Sequence, residues 1–181
     1  MRKLVLQSLH LGNNALGGQI PLSITSLTNL GASWFVSLVL DCNKLTTSEP
    51  AVIAFLNQKD PDWAQTQTVP PTDLQGTAIS STSAQLTWTP ILYTADGGFY
   101  EASYAMSPGG PYMVHGTTGD KRATGYLAAN LMPGTTCYFV VRTFTPAHGE
   151  QQNALWSDYS QEVTVTVATR GIVALPLVST R

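Results

Sequence analysis

The chain has 181 residues, 43% of them hydrophobic and 11% charged, with a formal net charge of −2. That balance lacks the basic excess needed to grip a nucleic-acid backbone or an anionic membrane, so no nucleic-acid partner is expected. No stretch approaches the ~20 apolar residues of a bilayer span, so no membrane insertion by this chain is expected either.

Residues 6–30 run L-x-x-L-x-L-x-x-N-x-L-x-G-x-I-P-x-x-I-x-x-L-x-x-L, with Leu6, Leu9, Leu11, Asn14, Leu16, Gly18, Ile20, Pro21, Ile24, Leu27 and Leu30 at the fixed positions. Leu9 and Leu11 alternate with Ser8 and His10, which predicts a short strand that buries the leucines and displays the others. Asn14 can satisfy backbone groups where the chain turns out of that strand. Gly18 permits a turn closed to most residues, and Pro21 fixes φ as the returning segment begins. Ile24, Leu27 and Leu30 then fall at helical spacing. The pattern resembles a leucine-rich repeat of the Gly-x-Ile-Pro type, which implies a strand layer lining a concave binding face and asparagines stacked into a ladder.

A second copy comes at Leu38, Leu40, Asn43 and Leu45, with Asn43 lying 29 residues after Asn14; about 24 is usual for this repeat type. The excess falls in residues 31–35, where Trp34 and Phe35 form either a convex bulge or an exposed aromatic patch. Thr47 or Ser48 is placed to cap a helix with Glu49 and Pro50 in its first turn. Val52, Ile53, Phe55 and Leu56 give that helix an apolar stripe able to close the repeat stack. Such units are stable only against neighbours, about three or more of them, so the chain is expected to be a fragment, or else to borrow repeats from a neighbouring chain.

Residues 57–69 are rich in Asp, Gln, Thr and Pro and are expected to form a linker, with Trp63 packed on the cap or on the next domain. Beyond Pro70-Pro71 come short alternating runs separated by Gly, Pro and Ser turns, as in a β-sandwich. Ala84, Leu86 and Trp88 share one face; so do Tyr100, Ala102 and Tyr104, then Tyr126 and Ala128, Phe139 and Val141, and Val163, Val165 and Val167. Leu86-Thr87-Trp88, Tyr100-x-Ala102-x-Tyr104 and Leu131-x-Pro133-Gly134-Thr135-x-Cys137-x-Phe139-x-Val141 together resemble a fibronectin type III domain over residues 70–168. The resemblance implies seven strands in two sheets. Cys137 stands where that family usually carries a tyrosine bonded back to the turn, a loss of about 0.5–1.5 kcal/mol for the hydrogen bond alone. Leu155-Trp156-Ser157-Asp158-Tyr159-Ser160 resembles the W-S-x-W-S box of some modules in the family, with Arg142 the available cation for Trp156. Residues 169–181 are expected to be a tail or linker stub.

The expected fold is therefore mixed: a short α/β leucine-rich-repeat solenoid with a helical cap over residues 1–56, then an all-β seven-stranded sandwich. The two are expected to unfold separately in denaturant. His10, His115 and His148 lack paired ligand spacing, and there is no nucleophile elbow or phosphate-binding loop, so no catalytic residue, metal or cofactor is expected and the chain is not read as an enzyme. Cys42 and Cys137 fall in different halves, and no disulfide between them is expected. The candidate partner-binding residues are Ser8, His10 and Asn13 of the first repeat, Ser37, Val39 and Asp41 of the second, and Gln151, Gln152 and Asn153 in the loop before the last strand. These features together lead to the expectation of an extracellular or cell-surface recognition module for a protein or glycan. The alternatives are a spacer of a larger extracellular polysaccharide-degrading enzyme, or a plain structural stalk.

Overall fold

The computed structural model describes residues 6–31, 38–149 and 151–169. Trp34, Phe35, Ser37 and the segment beyond residue 169 lie outside them. The described chain is mostly β-sandwich, with one α-helix and a set of short parallel strands before it.

The strands of the first half are β1 (Leu9–His10), β2 (Gly17–Gln19), β3 (Leu38–Val39) and β4 (Lys44–Thr46). β1 pairs with β3 and β2 with β4, both in parallel. Leu9 sits opposite Leu38 and His10 opposite Val39, so the leucines turn inward and the other two share the outer face. Between β2 and β3 a 3-10 turn, Leu22–Ser26, includes Ile24 of the helically spaced residues, while Leu27 and Leu30 follow it. Leu30, Leu38 and Leu40 are buried together with Val52 and Leu56 of α1 (Pro50–Lys59) and with Trp63, closing one apolar core. Glu49 rather than Thr47 or Ser48 is the residue that caps α1, and it caps without a side-chain bond; Pro50 occupies the first turn because the helix needs no N–H there. Thr47 instead accepts a bond from the Glu49 N–H.

The segment expected as a linker is folded. Residues 60–68 carry a 3-10 turn, Trp63–Thr66, and their side chains meet the free edge of the parallel ladder. The Asp60 carboxylate accepts from the Leu40 N–H (2.9 Å), the Thr66 hydroxyl from the Cys42 N–H (3.2 Å), and the Gln67 carbonyl from the Leu45 N–H (3.0 Å). Three side chains thus stand where another strand's carbonyls would, which satisfies buried donors at the end of the stack.

The sandwich comprises β5 (Thr72–Ser80), β6 (Ser83–Thr89), β7 (Phe99–Ala105), β8 (Met113–Thr117), β9 (Gly125–Ala128), β10 (Thr136–Thr145), β11 (Leu155–Trp156) and β12 (Val163–Thr166). One sheet has the order β5-β6-β9; the other runs β8-β7-β10, with β11 and β12 both on the far edge of β10. The alternating residues of these strands line the core between the sheets: Ala84, Leu86, Trp88, Tyr100, Ala102, Ala128, Phe139, Val141 and Val165 are all buried. The expected last strand is split. Between its halves the Ser157 and Ser160 hydroxyls accept from the N–H groups of Thr143 (2.8 Å) and Val141 (3.0 Å), replacing ladder bonds with side-chain ones. At the corner before β10, Cys137 is buried and the Thr135 hydroxyl donates to Met132 O at 2.6 Å, a back-bond supplied two residues before the expected tyrosine position.

Candidate functional site

The outer face of the first half is built by its strands. β1 and β3 hold His10 and Val39 side by side, His10 exposed and Val39 half-buried. Ser8 is exposed just before β1. Three residues beyond each strand lies a corner residue with positive φ, Asn13 (58°) and Cys42 (53°). Asparagine tolerates that conformation; cysteine is an unusual occupant. Asp41, next to its corner, accepts a bond from the Thr66 hydroxyl at 3.1 Å. Ser37 lies outside the described residues.

The two asparagines do different work. Asn43 is buried: its amide donates to Leu11 O, Leu40 O and Asp41 O, and its carbonyl accepts from the Leu16 N–H, so one side chain ties the two successive turns together. Asn14 is exposed and makes the corresponding bonds within its own turn, to Leu11 O and Gly12 O.

Of the three residues expected in the loop between β10 and β11, Gln152 and Asn153 are exposed, but Gln151 is 1% exposed and faces the first half. Its amide donates to Asn14 O (2.9 Å) and Cys42 O (2.6 Å), and its own carbonyl accepts from the Asn153 N–H. It is therefore an internal contact, because two neighbouring corner carbonyls need donors that no strand supplies.

Around this contact gathers a polar cluster that the sequence did not announce. His148 Nε2 lies 2.8 Å from the Tyr93 hydroxyl, 3.6 Å from Asp96 Oδ2 and 4.0 Å from Cys42 Sγ, while Nδ1 donates to Pro146 O at 2.9 Å. Lys121 is buried, donates to the Thr145 hydroxyl at 3.1 Å, and holds its ammonium 3.9 Å from the centre of the Tyr93 ring. A thiol, an imidazole and a carboxylate in one place invite comparison with a nucleophilic triad. The geometry is different. In a triad the acid orients the ring through the nitrogen that does not face the nucleophile, whereas here thiol, hydroxyl and carboxylate all face Nε2, and Nδ1 is spent on a backbone carbonyl. Burial also pushes the Cys42 thiol above its usual range, so the thiolate is disfavoured. Tyr93 is raised for the same first reason, with its bond to Asp96 adding to it. The cluster can brace the two halves against each other, and its arrangement is not that of a nucleophilic triad.

On the outer face of β10 the expected Arg142–Trp156 contact is present, at 4.2 Å from guanidinium carbon to ring centre, and the same guanidinium lies 5.0 Å from the centre of Tyr159. Glu101, opposite in register on β7, holds Arg142 through contacts of 2.8 Å. The charge is thus satisfied within the sheet. Among the described residues, no group of three or more His, Cys, Asp or Glu side chains is placed to hold a metal ion.

Comparison with protein families returned no match, and neither did comparison with curated proteins. Solved structures do resemble part of the chain. A fibronectin type III-like protein from Clostridium thermocellum is 25% identical, with a TM-score of 0.42, covering 52% of this chain and 88% of its own. A fibronectin type III domain of human contactin 1 is 14% identical, with a TM-score of 0.47, covering 58% of this chain and 82% of its own.

Proposed function

We propose that the chain is a non-catalytic recognition module of the cell exterior, in which a leucine-rich-repeat segment presents a binding face and a fibronectin type III sandwich supports it. In domain terms, residues 1–56 would be the repeats and their helix, residues 57–69 the cap extension, and residues 70–168 the sandwich. The observation that carries this reading is the register of the parallel ladder, which sets His10 and Val39 adjacent on one outward face; Ser8, Asn13 and Asp41 are the neighbouring residues we add to it. A face made by strand register is rigid, so a partner meets side chains already in place. The buried Asn43 supports the repeat assignment, because it bonds backbone groups of both turns as stacked asparagines would. Gln152 and Asn153 offer a second polar contact on the sandwich. The ligand class is a protein or a glycan.

The test is binding of the full chain to a glycan array and to a panel of extracellular protein domains. A ligand found there should lose at least tenfold in affinity with His10→Ala or Val39→Asp and be unaffected by Leu127→Asp, which alters an exposed position of β9. The reverse pattern would assign recognition to the sandwich, and a panel with no binder would count against the proposal.

A further inference from the structure

The loop joining β10 to β11 closes on itself before it reaches the first half. The His148 N–H bonds Gln151 O (2.9 Å) and the Gln151 N–H bonds His148 O (2.7 Å), a bridge that aims the Gln151 side chain outward from the sandwich. That side chain then spans the corners of both turns, with Asn14 O and Cys42 O as acceptors. Both donors of its amide are thus taken, and its carbonyl accepts from the Asn153 N–H.

A second set of bonds accompanies the covalent crossing. The Thr68 N–H donates to Asn43 O (2.8 Å), the Thr68 hydroxyl donates to the Thr145 hydroxyl (2.8 Å), and the Thr143 hydroxyl donates to Val69 O (2.7 Å). Thr68 and Thr145 are both fully buried. A single covalent crossing at Val69-Pro70 would let the halves turn about it. Two sets of hydrogen bonds oppose that turning, because a rotation would break them and leave the backbone carbonyls and the Gln151 amide to find other partners.

We infer that the described residues of this loop, 146–149 and 151–154, act as a strap, with Gln151 as its fastening, that locks the repeat-like half to the sandwich so that the first half opens only together with the second. The loop thereby fixes the angle between two surfaces instead of reaching for a partner through Gln151. The strap goes beyond the recognition reading and does not depend on it, since it concerns how the halves are held and not what they bind.

Hydrogen exchange on the full chain tests it, with Gln151→Met as the main variant, because methionine keeps the length and removes both donors. In the wild-type protein the amides of β4 should exchange with protection comparable to those of β10. In Gln151→Met the β4 amides should exchange at least tenfold faster while those of β7 and β10 keep their protection, which also shows that the sandwich has folded. Thr68→Val, which removes the hydroxyl bond to Thr145, should act in the same direction. Unchanged exchange in β4, or equal acceleration in both halves, would overturn the strap.

Discussion

Lys121 shows what a residue can contribute that its neighbours in sequence do not reveal. It lies between Asp120 and Arg122, in a stretch that reads as a solvated loop, yet it is 1% exposed and bonded to Thr145. Burial lowers its ammonium to about 8 from an ordinary 10.5. Between those two values the unfolded chain still holds a proton that the folded chain has released, so this group makes stability rise with pH across that window and weakens the fold below it. Lys121→Met should therefore be at least as stable as the wild type at pH 7, by up to about 1–4 kcal/mol. That advantage should shrink as pH rises from 8 toward 10. Urea melts at pH 7 and pH 9.5 measure it, and a variant more than about 1 kcal/mol less stable at pH 7 would show that the ammonium's bonds outweigh its desolvation. Cys42 and Tyr93 lie beside the same ammonium and carry a pH dependence of their own, so the comparison at pH 7, below both titrations, decides the point. Both are raised, so the stability they supply is present at neutral pH and lost above about pH 9 and 10, where the unfolded chain ionises first.

At the scale of elements, the cap of the parallel ladder replaces a missing strand with side chains, and Asp60 is its most informative member. Its carboxyl is raised above the usual range, first by burial, against the favourable Leu40 N–H. A raised carboxyl means that stability falls as pH climbs through its titration, so the charge itself opposes the fold at neutral pH while its oxygen serves as acceptor. Asp60→Asn, which keeps an acceptor and drops the charge, should leave stability at pH 7 unchanged or higher. Asp60→Ala should cost about 1–3 kcal/mol by orphaning the Leu40 N–H. Thermal denaturation of the two variants separates these outcomes, and an equal loss in both would make the charge the stabilising feature.

The elements also show which information lay on the surface of the sequence. Period-two alternation made Ala84, Leu86 and Trp88 readable as a core face, because a buried sheet demands apolar residues at every second position. The spacing of Leu38, Leu40 and Asn43 was readable for a similar reason, as a turn of fixed geometry admits few residue types. Gln67, Thr68 and Gln151 could not be read in that way. Their burial depends on backbone groups 22 to 137 residues distant, and a polar residue among polar neighbours carries no local mark of such a partner. The candidate site was half legible on the same grounds: His10 and Val39 follow from strand alternation, whereas the inward turn of Gln151 follows from tertiary contact. The Thr135 back-bond and the Glu101 contact with Arg142 lay within reach, since β-register places Glu101 opposite Arg142 once β7 and β10 are paired.

For the whole molecule, the expectation of two modules on a linker gives way to two apolar cores joined by a polar, hydrogen-bonded junction. The cores do not merge. What joins them is the bonding of Gln151 and of Thr68, together with the contacts of His148 with Tyr93 and Cys42. The proposed recognition face, carried on such a junction, would keep a constant direction relative to the sandwich, so binding would immobilise less of the protein than with a tethered module. The most direct measurement is 15N relaxation of the full chain in solution. Residues 38–66 and residues 72–167 should report one rotational correlation time and one diffusion axis. A distinctly shorter correlation time for the first half would show that the halves tumble separately, and the account of a single locked body would fail.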